Sequence, residues 1–515
     1  MVHGREHLRP WGANGMSQIL NSGDPDDREN GIGLCLRGRY AQAMPSLRRA
    51  AARAQAPDEQ LFRALSEALL NQGKVAEAIA YMDRVLSIRP DDPAMQSARL
   101  VWSYFDPELS DPEIFDRHLR WARQIEPPPQ SIAPHANVPD PHRPLRIGYL
   151  SSTFRSHITM ALLGPVLELH DRSKFDIACY DSTANPDEIT QQARRFVSRW
   201  RDIRHLDDAA AAELIRRDQV DILVDLELHL PPNRIRLLAR KPAPVQGAFI
   251  QYPGTSGLRA MDFVMADRHM ITAGCERYFT ERLIALETLW IFRVRGPARP
   301  QDEPAFRVVP PPVLQNGFVT FGSLNNAPKL NRPLLLLWRR ILDAVPNSKL
   351  LIQVKGSTGG QVELLEECGL VAPRVDVIDA LPPNAYVQQY QRIDIALDPI
   401  PYGGGGGTGF DTLWAGVPLI TLAGHRPTAR YGTSLLSNLG LTDFIAHTPE
   451  QYVRIAVDLA GNPQRLQELR SSLRSRMQAS VVMDEPRYVR ALEEAYRELW
   501  AGWCAQKGAL KPPTR

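Results

Sequence analysis

Two doubly wound α/β domains in tandem, preceded by a short all-α array, are the architecture this sequence predicts. Three observations predict it. A helical pattern over residues 29–126 repeats itself, a proline-rich stretch at 127–144 ends it, and from Leu145 onward short apolar runs alternate with segments of helical spacing. Such alternation implies parallel sheets covered on both faces. At 515 residues the chain is too long for one domain, and roughly 150 residues per domain suggests about three.

The array comes first. Residues 1–28 are polar and form a predicted flexible leader. The segment LRGRYAQA at Leu36–Ala43 then recurs as NQGKVAEA at Asn71–Ala78, so Gly38 pairs with Gly73 and Ala43 with Ala78 at an offset of 35. That is close to the 34-residue period of tetratricopeptide repeats. Pro90 closes the second unit and a degenerate third runs from Asp92 to Gln124. The seven prolines of 127–144 cannot continue a helix and read as a linker.

The first α/β lobe is placed at 145–294, with strands at Leu145–Leu150, Phe175–Tyr180, Val220–Leu226 and Gly247–Gln251. A connector at 295–317 separates it from the second lobe, 318–484, with strands at Phe318–Phe321, Lys349–Val354, Val375–Ile378, Ile393–Leu397 and Pro418–Leu422. The tail 485–515 opens as a long amphipathic helix. A cleft between the lobes completes the expectation.

Composition excludes several classes. The 61 Lys+Arg against 58 Asp+Glu leave a charge of +3, which provides no basic field for nucleic acid. No apolar window of about 18 residues marks a membrane span, and no h-region follows the N-terminus. Five scattered cysteines without CxxC spacing suit buried free thiols in a reducing, cytoplasmic setting. No His, Asp or Glu cluster has metal-ligand spacing, so neither metal nor cofactor is expected.

Ligands of open parallel sheets bind beyond the carboxyl ends of the strands, so the loops there carry the chemistry. In ALDPIPYGGGGGTGFDTLWAGVP an apolar strand leads into Gly403–Gly407, and Thr408 opens a helical pattern. A side-chain-free loop at a helix start suits a phosphate or diphosphate. Asn325, Asn326 and Lys329 follow the first strand of the same lobe, Tyr386 offers an aromatic face, and Asp411 is placed to accept bonds from ribose hydroxyls. In the first lobe His157 precedes an apolar helix and His229 follows the Val220–Leu226 strand. Each histidine taken alone is better explained by a cap or a turn than by catalysis.

Jointly, LRIGYLSSTFRSH, DILVDLELHLPPNR, RKPAPVQGAFIQYPGTSG, FGSLNNAPKL and the glycine-loop block resemble the O-linked N-acetylglucosamine transferase and SPINDLY family of glycosyltransferases. The resemblance implies a GT-B fold, two Rossmann-like lobes behind tetratricopeptide-like repeats. It implies metal-independent, inverting transfer of N-acetylglucosamine from UDP-GlcNAc to Ser or Thr of a protein acceptor. UDP-glucose or GDP-fucose donors, Asn acceptors, and a weakly active binding module remain alternatives, and a homodimer is a further possibility. It assigns His157, Lys329 and His229 to catalysis, and Asn326, Tyr386, Gly406, Gly407, Thr408, Gly409 and Asp411 to the nucleotide sugar. The chain departs from the pattern at SSTF, where SSDF is usual, and at DLELHL, where DL.GHT is common. Its glycine loop is one residue longer, with a single Thr408 where relatives have two or three threonines. The interval between the lobes lacks the large insert of animal relatives.

Overall fold

The computed structural model describes residues 26–252, 254–294, 300–354 and 359–509. Most of the leader expected at 1–28, and the first residues of the 295–317 connector, lie outside them. Contacts divide the chain into two units. One takes the chain up to Ser110 and then the connector onward to Met477; the other takes Asp111–Val294 and everything from Gln478 on.

The repeat helices of the first unit are Asp27–Leu36, Tyr40–Arg53, Glu59–Leu70, Val75–Ile88 and Pro93–Ser103. Gly38 and Gly73, paired by the repeat, both sit in the left-handed region at φ 73 and 75, just past a helix end. That conformation is why glycine recurs there. The alanines matched by the repeat, Ala43 and Ala78, are fully buried. The helix Asp111–Ile125, expected to finish the third repeat, packs with the other unit instead.

The second unit carries a seven-stranded parallel sheet ordered β3-β2-β1-β4-β5-β6-β7. Its strands are β1 (Leu145–Ser151), β2 (Phe175–Asp181), β3 (Arg199–Asp202), β4 (Ile222–Asp225), β5 (Val245–Ala248), β6 (Phe263–Asp267) and β7 (Arg282–Leu286). The first unit carries six, ordered β10-β9-β8-β11-β12-β13: β8 (Val319–Ser323), β9 (Ser348–Gln353), β10 (Val375–Ile378), β11 (Ile395–Leu397), β12 (Leu419–Leu422) and β13 (Ile445–Ala446). Strands β3, β6, β7 and β13 were not among those expected. β3 is an edge strand of sequence RWRD with no buried position; its charge protects a free edge and hides it from an apolar search. The run Gly247–Gln251 is also shifted: pairing covers Val245–Ala248, and Phe249–Gln251 turn away as loop.

Each strand order reverses once, between β1 and β4 and between β8 and β11, pairs that are adjacent and parallel. Chains leaving neighbouring strands there part to opposite faces and open a crevice. The loops after those four strands hold His157, His229, Lys329 and the glycine run. The C-terminal helix Glu485–Ala509 packs on the seven-stranded unit, where Tyr496 meets Tyr149 at 3.2 Å between hydroxyls and Glu493 holds His170 at 2.9 Å. Among the described residues no helix is long and apolar enough to cross a membrane.

Strand β5 has no room for a side chain at Gly247, where a Cβ would stand 2.3 Å from the Phe263 ring. Gly247→Ala is therefore expected to cost about 1–3 kcal/mol by overpacking. Urea denaturation measures it, and an unchanged midpoint would show that β5 and β6 pack otherwise.

Candidate functional site

Lys329 ends a short turn, Ala327–Lys329, that follows β8. Its side chain is 9% exposed, and its ammonium donates to the carbonyl of Gly403 at 2.6 Å. The Tyr402 ring lies 5.3 Å from the same nitrogen, a cation–π contact. Among the described residues no carboxylate comes within ion-pair distance of Lys329. Asp398 acts on it only from further off, and burial outweighs that attraction, pulling the ammonium down to about 8. A buried cation without a direct counterion favours an anion beside it.

The glycine run is arranged differently from the expected five-residue loop. The helix opens at Gly405 rather than Thr408 and runs to Trp414, so only Gly403 and Gly404 are loop. Side-chain-free residues lose the most backbone entropy on entering a helix and do not start one unaided; the Asp398 carboxylate, bonded to the Gly404 amide, fixes the bend that precedes this one. Asp398 accepts from the Gly404 amide and from the Thr421 hydroxyl, each at 2.8 Å. Gly404 must be glycine, because a Cβ would stand 2.8 Å from Asp398 Oδ1. Gly405, at φ +74 with open space around it, must be glycine for its backbone alone. Gly405, Gly406 and Gly407 form the first turn, whose amides have no intrahelical carbonyl to bond. The dipole adds partial positive charge at that end.

Behind this turn Thr408, Gly409 and Thr412 face Ser323, Asn325, Tyr390 and Asp398 around a water-sized cavity. The Thr412 hydroxyl donates to the Thr408 carbonyl at 2.7 Å. Tyr386, on the helix Pro383–Gln389, joins this side through its hydroxyl, 2.7 Å from that of the buried Tyr390. Asp411 is half-buried one turn along; after burial and Tyr386, its charge helps raise the Tyr390 phenol. Asn326 is exposed and contributes a backbone carbonyl to the turn. Its neighbour Asn325 instead buries its side chain beside Gly404, with Oδ1 lacking any hydrogen-bond partner. Asn325, a candidate of the loop after β8, joins the site here, while Asp398 and Tyr402 are residues the sequence reading did not single out. Asp398 and Tyr402 stand in the DPIPY run directly before the glycines, which was the available signal.

In the other unit, His157 is the N-cap of helix Ile158–Leu169, directly after β1. Its Nδ1 lies 3.1 Å from the Thr159 amide and 2.6 Å from the Thr159 hydroxyl. His229 follows β4 and is wholly buried, 2.9 Å from the Ser256 carbonyl through Nε2. The Trp121 and His118 rings lie against it at 4.5 and 5.1 Å. Burial, followed by His118, holds it well below the usual histidine range, so it is neutral. The ring is enclosed by these neighbours, with its Nδ1 buried and without a hydrogen-bond partner. Among the described residues no group of three or more His, Cys, Asp or Glu is placed to hold a metal, and the five cysteines are buried and unpaired.

The description of glycosyl transferase family 41 matches residues 129–292 and 313–492. A tetratricopeptide repeat description matches 36–100. The chain is 35% identical over 428 residues to a protein of Hordeum vulgare named as a probable UDP-N-acetylglucosamine–peptide N-acetylglucosaminyltransferase SPINDLY, covering 81% of this chain and 44% of that one. The same name stands on an Arabidopsis thaliana relative at 34% identity, covering 81% and 46%. The chain therefore spans less than half the length of these curated relatives. Among solved structures, a mutant of the Thermobaculum terrenum O-GlcNAc transferase superposes with a TM-score of 0.82 at 32% identity, covering 93% of this chain and 91% of that one.

The Lys329 ammonium makes stability depend on pH. It binds its proton less tightly folded, at about 8, than at its ordinary 10.5, so the unfolded chain holds more protons between those values and stability rises with pH across them. The wild type is expected to gain on Lys329→Met over that window, by on the order of 3 kcal/mol at most. Urea midpoints of both proteins at pH 8 to 10 check this; a constant difference would mean the ammonium is solvated.

Proposed function

The chain belongs to glycosyl transferase family 41, and from that premise we propose that it is an inverting, metal-independent glycosyltransferase moving N-acetylglucosamine from UDP-GlcNAc to Ser or Thr hydroxyls of protein acceptors. One observation carries the proposal: a buried ammonium without a direct carboxylate partner, hydrogen-bonded to the first glycine of a run whose next residues begin a helix. An anionic diphosphate is the guest that this pairing suits.

The reaction is an in-line displacement at the anomeric carbon by the acceptor hydroxyl. The bond to the diphosphate oxygen breaks, and negative charge gathers on that leaving group. Lys329 and the amides of Gly405, Gly406 and Gly407 stabilise it where it forms, without a metal ion. Thr408 and Asn325 add polar contacts, Asp411 takes a ribose hydroxyl, and Tyr386 lies along the base. Asn326 and Gly409 shape the same loops. His157 orients the acceptor hydroxyl or takes its proton, a part worth about 10²–10⁴ in rate. His229 holds the β4 loop in place. The repeats offer the protein acceptor a surface, and a cytoplasmic setting suits the five thiols.

Lys329→Ala is expected to lower transfer by at least roughly a hundredfold, the scale of about 3 kcal/mol for a lost oxyanion donor, with the fold retained by circular dichroism. Intact-mass measurement of acceptor and protein after incubation with UDP-GlcNAc, UDP-glucose or GDP-fucose reads it. Transfer from a different sugar would change the donor assignment. Undiminished transfer by the variant would remove Lys329 from the mechanism, and release of nucleotide from no donor would leave a binding module.

A further inference from the structure

The repeat array ends at a residue that the chemistry above does not use. Phe105 stands two positions past helix Pro93–Ser103, its amide donating to the Trp102 carbonyl at 3.0 Å and its ring packed against the Trp102 ring at 4.7 Å between centroids. Across from it lies Tyr402, from the DPIPY run before the glycines. The two rings are stacked, 4.0 Å apart at their centroids and within 10° of parallel, and both are buried, at 8% and 9% exposed. A stack that close limits the tilt of each ring.

Tyr402 stands at the Lys329 ammonium. Its ring centre is 5.3 Å from Nζ, and the carbonyl that Nζ bonds at 2.6 Å belongs to the next residue, Gly403. Ring and carbonyl are thus carried by one short piece of chain, and a displacement of Tyr402 moves both. A lysine side chain has several rotatable bonds and is placed only as well as its contacts hold it. The Tyr402 ring is steadied at its edge by Tyr431, 5.6 Å away at 60°, whose hydroxyl donates to that of Tyr402 at 3.4 Å. Its face is steadied by Phe105, which belongs to the repeats. The array touches the turn that carries Lys329 as well: a Cβ on Gly73 would lie 3.6 Å from the Ala327 carbonyl.

We propose that Phe105 is a positioning residue for the transfer reaction, acting through the ring of Tyr402 to set where the Lys329 ammonium meets the departing diphosphate. This rests on Lys329 serving that leaving group. The array is then part of the donor's site as well as a surface for the acceptor, and its last turn bears on the chemical step. An ammonium displaced by even about 1 Å stabilises the developing charge less well, a loss of up to about a hundredfold.

Among the described residues the charged group acting on Lys329 is Asp398, just past β11; burial outweighs it and holds the ammonium down at about 8. On the array's side Lys74 is paired with Glu363. Phe105→Leu opens space beside the Tyr402 ring and lets water approach, so Lys329 should bind its proton more tightly, moving from about 8 toward its ordinary 10.5. The basic limb of kcat/KM, which reports the free enzyme, moves to higher pH with it.

Phe105→Leu is expected to lower kcat about tenfold or more, with the KM for the protein acceptor within about twofold of wild type. A role in acceptor binding alone would raise that KM, spare kcat and overturn the proposal. Phe105→Tyr keeps a flat ring and should retain kcat; Phe105→Met, flexible and without the ring, carries the comparison if leucine prevents folding. The double variant with Tyr402→Leu should be no worse than the poorer single, because both break one path. Carbon-13 spectra of the lysine ε-carbons, with the Lys329 signal identified by its loss in Lys329→Met, follow its titration without any transfer. A Lys329 titration unchanged by Phe105→Leu overturns the proposal whatever happens to kcat, since Phe105 would then act on folding alone. Should the wild type transfer no sugar, the proposed function fails while the lysine spectra still decide whether Phe105 governs Lys329.

Discussion

The interaction on which the six-stranded unit's site depends is the hydrogen bond from a desolvated ammonium, Lys329, to the Gly403 carbonyl. An ammonium taken out of water loses several kcal/mol of solvation unless something replaces it. Here a carbonyl, the face of Tyr402 and a distant Asp398 replace it only in part, as the lowered proton affinity records. Asp398 could have been a direct partner, but its oxygens are committed to the Gly404 amide and the Thr421 hydroxyl. That commitment fixes the first bend of the glycine run and leaves the cation uncompensated. A site already neutralised by its own carboxylate would have to break that pair before holding a diphosphate.

The same bend explains what the sequence could and could not disclose. That β11 would lead through glycines to a helix was legible, because strand, glycine run and apolar helical spacing follow one another without a break. That the helix would start at Gly405 was not: glycine carries no helical signal, and the start is set by Asp398 and by the packing of β12. Lys329 was legible from its place after β8. Asn325 and Asn326 were both legible as loop amides after β8, and the resemblance selected Asn326; only the fold shows Asn325 buried and Asn326 in solvent. His229 was legible as a residue near a strand end, yet its burial depends on Trp121 and His118, more than a hundred residues earlier and on a helix the repeat pattern assigned elsewhere. Tertiary partners at that sequence distance leave no local trace.

The repeats bear on the Lys329 loop in the same way. Gly38 and Gly73 occupy equivalent positions and share a left-handed backbone, but a Cβ on Gly38 would meet nothing within 4 Å, whereas one on Gly73 would stand 2.5 Å from the carbonyl of Leu330, the residue after Lys329. One glycine is required by its helix end alone, the other also by what lies across from it. Nearby, Phe105 stacks on Tyr402 with centroids 4.0 Å apart and planes within 10°, and Arg426 donates to the Leu109 carbonyl at 2.7 Å. Lys74 and the largely exposed Glu363 also pair, at 3.3 Å. The pair is open to solvent on its Glu363 side and contributes little. The buried stack contributes about 0.5–1.5 kcal/mol beyond its area, and it bears on the very ring that faces the Lys329 ammonium. Apolar packing rather than charge therefore couples the array to the site. The last turns of the repeats belong to the support of the glycine loop, and a change of packing at Phe105 reaches Lys329 through a single aromatic ring.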